Sequence, residues 1–411
     1  MCVSQIPYGS QREVLVSWWY PIRGAVAAIA VTVCGLTSVS CQKKEPLKIG
    51  WLSSLTGPLS TAAIAENRGV EFAVEEINNS GGVNGQKIEI VTRDTAGDPT
   101  KAVNFAKQLI FVDKVSAIIG PVNSGESLAS IPVVAQEGIP NIIIGTLDEL
   151  TDPAKYPRAF RAICTNSQWI NAANNYAVNV LKKSKIAIIA DTTGYGTATA
   201  KAAAAALEKS GTKPVYNVLV DPNKTDLTDE MNKAKASGAD VLMPWSASTG
   251  LLARLLNTRG DMGWNVPVVG HPVLMAAPIR PLLNKPEYLQ NAFAAGYSSM
   301  TYDESGKLPA ATTRLKDQIR GRLGDGGEID FSFWWVALGY DTVKLIEHAV
   351  KTAGSTDPAA IQKAFENTKD FPGVYATYTW APEQRNGYPA QAVVMNIASS
   401  FKDGAYKAAP H

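Results

Sequence analysis

The sequence predicts an α/β protein of two lobes, each a parallel sheet doubly wound with helices. Three observations carry that prediction. Short apolar runs alternate with segments of helical period, the pattern of a parallel sheet with crossover helices. The alternation restarts after residue 181 and builds a second series of the same design, although no internal repeat is strong enough to establish duplication. And 411 residues exceed one typical domain.

In the first series, residues 47–52 (LKIGWL) form a strand and SSLTGPLS the loop at its end. Residues 66–78 form a helix with Val70, Ala73, Val74 and Ile77 on one face. NNSGGVNG turns the chain into a strand at 87–92, and RDTAGDP leads into a helix at 100–111. The stretch 116–151 organises the rest. It reads as a strand at 117–120, a Gly-Pro turn, a helix at 127–136 opened by Asn123 and Ser124, and a strand at 141–144 followed by Gly145 and Thr146. Two parallel strands joined by a helix end side by side, and such strand ends form the crevice where open α/β sheets bind ligands. Ser124 reads either as an ordinary N-cap or as a receptor for an anionic group at a helix N-terminus, with Thr146 as a second hydroxyl beside it.

A short strand at 160–162 and a helix at 166–181 precede the second series, which starts at residue 185. Strands at 185–190, 214–220, 241–243 and 267–270 then alternate with helices at 197–209, 229–237 and 249–258. After a strand at 293–297 come helices at 311–322, 331–352 and 358–365. The alternating runs 374–380 and 391–397 read as a β-hairpin around APEQRNGYP.

A formal net charge of +2, without an arginine-rich run, predicts neither a nucleic-acid partner nor a polybasic membrane surface. Arg12 and Arg23 precede GAVAAIAVTVCGLTSVS, which ends at Cys41 and is interrupted by Thr32, Thr37 and Ser38. A membrane span wants about 20 apolar residues, so residues 1–41 read as an export signal. Ser38-Val39-Ser40-Cys41 resembles a lipoprotein processing box with Ser where that motif has Leu, which makes Cys41 a candidate for lipid attachment; cleavage without a lipid is the alternative. Cys164 is then left without a partner, and no disulfide is expected. The cysteines have neither CxxC nor zinc-ligand spacing.

No HExxH pair, GxSxG elbow or Walker loop appears, so the sequence assigns no catalytic residue, metal or cofactor, and the chain reads as a non-enzyme. His271 follows a strand end and reads either as a pocket residue or as a satisfied structural histidine. His348, between Lys344 and Lys351, reads as solvated or half-buried. Gly194-Tyr195-Gly196 mimics a dinucleotide fingerprint, but Thr199 stands at the third glycine position, and GxG alone is a weak signal. Tyr195 and Trp245 read as rings lining a cleft or as aromatic packing at loops. Trp334 and Trp335 read as core or lobe-surface residues, because adjacent helical residues cannot both face one site.

Several stretches together resemble the type I periplasmic solute-binding proteins of the branched-chain amino acid transporter class, the leucine/isoleucine/valine-binding-protein-like family. They are IGWLSSLTGPLS, AVEEINNSGGVNGQKIEIVTRD, AIIGPVNSGESLASIPVVAQEGIP, FRAICTNSQ, TTGYGTATA and FPGVYATYTW. The resemblance implies a lobe at 46–164 plus 296–372 and another at 166–294 plus 376–411. Three crossovers near 164–166, 294–297 and 371–376 would join them as a hinge that closes on a small solute. It implies a monomeric periplasmic receptor, anchored where Cys41 carries lipid, and read by an inner-membrane ABC permease and its ATPases. It places ligand-carboxylate contacts on Ser124, Gly145 and Thr146, and a second-lobe aromatic on Tyr195. The acids that hold a ligand's ammonium group in that family have no match. Asn166 stands where the FR…SQ motif carries Asp, the aligned Glu falls near His271-Pro272, and a tyrosine after Gly57-Pro58 is replaced around Ala62. The expected ligand is therefore a small carboxylate without a charged amine, held by Ser124, Gly145, Thr146, Asn166, Tyr195, Trp245 and His271. Amino-acid binding and an amide or small-molecule sensor of the same fold are the alternatives.

Overall fold

The computed structural model describes residues 44–410 apart from 324–326 and 328. The expected export signal and Cys41 lie outside the described residues. The chain opens with β1 (Leu47–Ser53), α1 (Ser60–Asn79), β2 (Ile88–Asp94), α2 (Pro99–Phe111), β3 (Ala117–Ile119), α3 (Ser124–Gln136), β4 (Asn141–Ile143) and β5 (Ala159–Arg161). These five strands form one parallel sheet in the order β2-β1-β3-β4-β5. The order reverses at β1, so β1 and β3 leave a crevice at their carboxyl ends.

The second half continues with α4 (Asn166–Asn175), β6 (Ile186–Asp191), α5 (Gly194–Lys209), β7 (Tyr216–Val220), α6 (Thr228–Ala236), β8 (Val241–Trp245), α7 (Thr249–Asp261), β9 (Val268–Gly270) and β10 (Ala292–Tyr297). Beyond it lie β11 (Thr301–Tyr302), α8 (Ala310–Leu323), α9 (Phe333–Ala353), α10 (Pro358–Phe365), β12 (Phe371–Pro372), β13 (Thr377–Tyr378), β14 (Val393–Ile397) and β15 (Tyr406–Lys407). The second sheet runs β14-β10-β9-β8-β6-β7, parallel except for β14.

The expected hairpin of 374–380 with 391–397 does not form. β13 pairs with β12, and β14 pairs antiparallel with β10. β14 covers an edge of the second sheet that would otherwise expose unpaired backbone groups. Trp380 instead joins Phe160 and Phe365 in an edge-on ring cluster at 5.4 and 5.3 Å. The expected helix at 166–181 also changes character, passing from α4 into a π turn at Tyr176–Val180.

Two devices bring distant segments to one place. Helices α1 and α9 lie side by side in the same direction, with Phe72 against Tyr340 and Asn84 Nδ2 donating to Val350 O at 3.2 Å. Glycine permits the contact: a Cβ on Gly69 would lie 1.9 Å from Val336 O, and one on Gly339 2.2 Å from Glu66 O. Both helices therefore begin at the same end of the sheet. The second device is Asp341 of α9, completely buried, whose carboxylate accepts the N–H groups of Val374 and Tyr375 at 2.8 and 2.7 Å and the Tyr378 hydroxyl at 3.0 Å. It holds the stretch by which the chain returns toward the second sheet.

Candidate functional site

Helix α3 starts beside the carboxyl end of β3. Its N-cap is Asn123 rather than Ser124: the Asn123 side chain accepts the Gly125 N–H at 2.8 Å. Ser124, freed from capping, accepts the N–H groups of Thr146 at 3.0 Å and Leu147 at 3.3 Å through Oγ. The hydroxyl proton remains available, and accepting two amides makes it a better donor. Gly145 lets this loop close on α3, since a Cβ there would lie 2.7 Å from Ser127 Oγ and 3.2 Å from Ser124 Cα.

From the other half, α5 is capped by Thr193, whose Oγ1 accepts the Gly196 N–H at 3.2 Å. That start points Tyr195 toward the first sheet, with a buried hydroxyl that has no partner. His271 lies edge-on to Trp169 at 5.1 Å and to Tyr195 at 5.3 Å. Its Nδ1 accepts the Val273 N–H at 3.2 Å, which puts the proton of the neutral ring on Nε2 as a donor. Complete burial pushes its pKa down to about 3, so the ring is neutral at physiological pH.

These groups meet around a cavity of about 30 Å³. Its wall is Leu59, Val122, Asn123, Ser124, Ile144 and Thr146 on one side, with Ile163, Trp169, Tyr195, Ala247, His271 and Trp335 completing it. Among the described residues, no aspartate or glutamate lines it. The nearby acids are engaged elsewhere. Glu126 accepts from Ser54 at 3.0 Å, Asp191 accepts the N–H and hydroxyl of Thr193, and Asp148 accepts from Ser167 at 2.8 Å. Such a cavity holds one or two waters, so a solute of several heavy atoms enters only as the walls part. A wider groove of about 640 Å³ lies beside the stretch held by Asp341, lined by Ser299, Asp370, Tyr375 and Tyr388 among others, and none of the candidate residues reaches it.

Four of the seven candidates, Ser124, Thr146, Tyr195 and His271, meet at the cavity; Gly145, Asn166 and Trp245 stand behind it. Asn166 is buried at the start of α4, its N–H donating to Thr146 O at 2.6 Å and its Oδ1 unpartnered. Trp245 is fully buried in the core at the end of β8, and Ala247 occupies the wall instead. His348 is half-buried against Phe371. The stacked pair Trp334–Trp335 divides its roles, with Trp335 on the cavity wall and Trp334 fully buried. Sequence patterning gave no sign of this, because α9 is apolar on every side of its first turn. Trp169 carries a signal in the sequence, since it lies one helical turn beyond Asn166.

The Gly-Tyr-Gly motif has no phosphate-binding geometry. A Cβ on Gly196 would lie 2.2 Å from the Asp191 carboxylate, which repels phosphate. Gly194 faces Gly125 across the mouth of the cleft: a Cβ on Gly194 would lie 2.8 Å from Gly125 Cα.

Two doubly wound sheets with a cavity between their facing helix starts define a two-lobed binding protein of type I architecture. The chain belongs to the periplasmic binding protein family, whose profile matches residues 46–404. Leu/Ile/Val-binding protein homolog 3 of Brucella melitensis is 28% identical over 341 residues, which cover 82% of this chain and 87% of that protein. The periplasmic binding protein type 1 of Bordetella pertussis Tohama I superposes with a TM-score of 0.78 at 26% identity, covering 89% of this chain and all of that one. LivJ of Streptococcus pneumoniae, solved with isoleucine, shares the fold with a TM-score of 0.75 at 24% identity, over 88% of this chain and 98% of that one.

Proposed function

We propose that the protein is the extracytoplasmic solute receptor of an ABC uptake transporter, a non-enzymatic clamp that closes on a small carboxylate lacking a charged amine. The observation that carries the ligand class is the cavity wall, which offers neutral donors and apolar surface but no acid. A buried ammonium group needs a charge partner or a full set of acceptors. A carboxylate needs donors, and Ser124 and Thr146 supply hydroxyls at one end. Tyr195 and the Nε2 of His271 serve the neutral far end, between the flat rings of Trp169 and Trp335. Gly145 and Asn166 shape the loop behind the seat, and Trp245 supports the second lobe.

In this reading the lobes are 46–164 plus 296–372 and 166–294 plus 376–411, hinged where the chain crosses between them. Residues 1–41 direct export, Cys41 is the site of lipid attachment, and the closed monomer is read by the permease and its ATPases. A second reading, branched-chain amino acid binding, is favoured by the name of the Brucella melitensis relative. A melting-temperature screen with calorimetry separates the two. A bound ligand at 100 times its Kd adds about 2.7 kcal/mol of stability. Benzoate, 4-hydroxybenzoate or an aliphatic carboxylate is expected to produce that shift, and leucine and valine are not. Tight binding of leucine without response to amine-free carboxylates would refute the proposal.

A further inference from the structure

We infer that Arg161 sets the charge preference of the seat at Ser124 and Thr146, acting as a positioning residue through the peptide that joins Thr146 to Leu147. The inference rests on the carboxylate reading of that seat. Arg161 ends β5 and is completely buried. Its Nη1 donates to Thr146 O at 3.0 Å and its Nη2 to Leu147 O. Its Nε has no partner, and its guanidinium joins none of the ion pairs among the described residues. The Asp148 carboxylate and the Cys164 thiol act on it only at longer range; burial pushes that thiol well up, and Asp148 is exposed and bonded to Ser167.

Burial pulls the guanidinium down to about 10, so it is charged at neutral pH. Its hydrogen bonds all go to neutral carbonyls, which leave a buried positive charge with no counter-charge in contact. One of those carbonyls belongs to the peptide whose N–H, that of Leu147, donates to Ser124 Oγ. A cation on the carbonyl oxygen polarises that amide toward Ser124. The relay thus runs from guanidinium to peptide to hydroxyl to seat, and an anion in the seat supplies the missing negative charge. A neutral carboxamide of the same shape does not.

The strand is held independently of this side chain. The Arg161 N–H donates to Arg385 O at 2.8 Å, and its carbonyl accepts from Gly387 N at 2.9 Å and Trp380 Nε1 at 3.2 Å. The side chain can therefore be exchanged while β5 stays in place.

The test reads the seat without a ligand. In the full chain carrying Ser124→Cys, a thiol replaces the hydroxyl at the end of the relay. The pH profile of iodoacetamide alkylation at that position, followed by peptide mass spectrometry, gives its ionisation midpoint. The expected midpoint lies at least one unit below the ordinary thiol value of about 8.5. Adding Arg161→Lys, which keeps the charge, leaves it near the parent value. Adding Arg161→Met raises it by about one unit, a tenfold change in thiolate population. Equal midpoints in folded Ser124→Cys proteins with and without Arg161→Met overturn the inference. A midpoint at or above the free thiol in Ser124→Cys alone also overturns it, a result that stands even where Arg161→Met does not fold. Failure of the carboxylate reading shows itself separately, as absence of any carboxylate response in the melting screen.

Discussion

The hydroxyl of Ser124 accepts two loop N–H groups while keeping its proton to donate, and this double role separates it from Thr146. Thr146→Val should remove one hydrogen bond to a charged ligand, about 1.5–3 kcal/mol, and weaken binding at least tenfold with little change in stability. Ser124→Ala should weaken binding as much and also lower the urea midpoint, because it strands two buried N–H groups at about 1–3 kcal/mol each. Affinity unchanged from the parent in both variants by calorimetry would displace the seat. His271 gives a second expectation, in pH. Its folded pKa of about 3 lies below the ordinary 6.5. The unfolded chain takes up a proton between those values that the folded chain refuses. The stabilising contribution is therefore whole above about pH 6.5 and drains away as pH falls toward 3, at about 1.4 kcal/mol per unit at most. Urea titrations from pH 7 to 4 should show a shallower decline in His271→Asn than in the parent. Parallel declines would mean that the ring is protonated in the fold.

At the scale of elements, the contact between α1 and α9 decides which side chains reach the cavity. Leu59 caps the first helix and Trp335 lies in the first turn of the second, and both line the wall because the helices start together. Gly69→Ala would drive a Cβ onto the Val336 carbonyl. Overpacking of this kind costs about 1–3 kcal/mol, and here the obstacle is backbone, which cannot rotate away. Stability should fall by at least that much, and tryptophan fluorescence should shift as Trp335 moves. An unchanged denaturation midpoint would show that the helices separate freely.

For the whole molecule, the proposed clamp closes only as far as its two lobes can approach, and on that reading the Gly125–Gly194 contact sets the limit. Neither glycine lines the cavity, so changing them removes no ligand contact. Gly194→Val should prop the lobes apart, weaken binding by about tenfold or more, and enlarge the radius of gyration of the ligand-saturated protein in small-angle scattering. Gly125→Ala, whose Cβ would meet Gly194 Cα at 3.4 Å rather than 2.8 Å, should have the milder effect. Wild-type affinity in Gly194→Val would show that the bound form does not bring these helix starts together.

Local patterning was enough to reveal the α/β class, the restart of the series, and a helix opened by Asn123 and Ser124 between two strand ends, though not that Asn123 rather than Ser124 is its cap. Those features depend on residues close in the chain: apolar runs, a cap, a Gly-Pro turn. The likeness to a known family added the pairing of Ser124 with Tyr195 across two lobes. Tertiary structure alone decided the rest. Strands such as β8 are buried on both faces, so no alternation says which way a residue points, and Trp245 proved to be core while Ala247 formed the wall. Trp335 reached the cavity only because two glycines let α1 and α9 touch. Val393–Ile397 left its expected hairpin because the second sheet offered an edge. Nothing along the chain marks Arg161; its burial, with no acid in contact with the guanidinium among the described residues, is a property of the packed sheet. Each outcome depends on which elements pack together, and contacts between segments far apart in the chain leave no periodic trace along it.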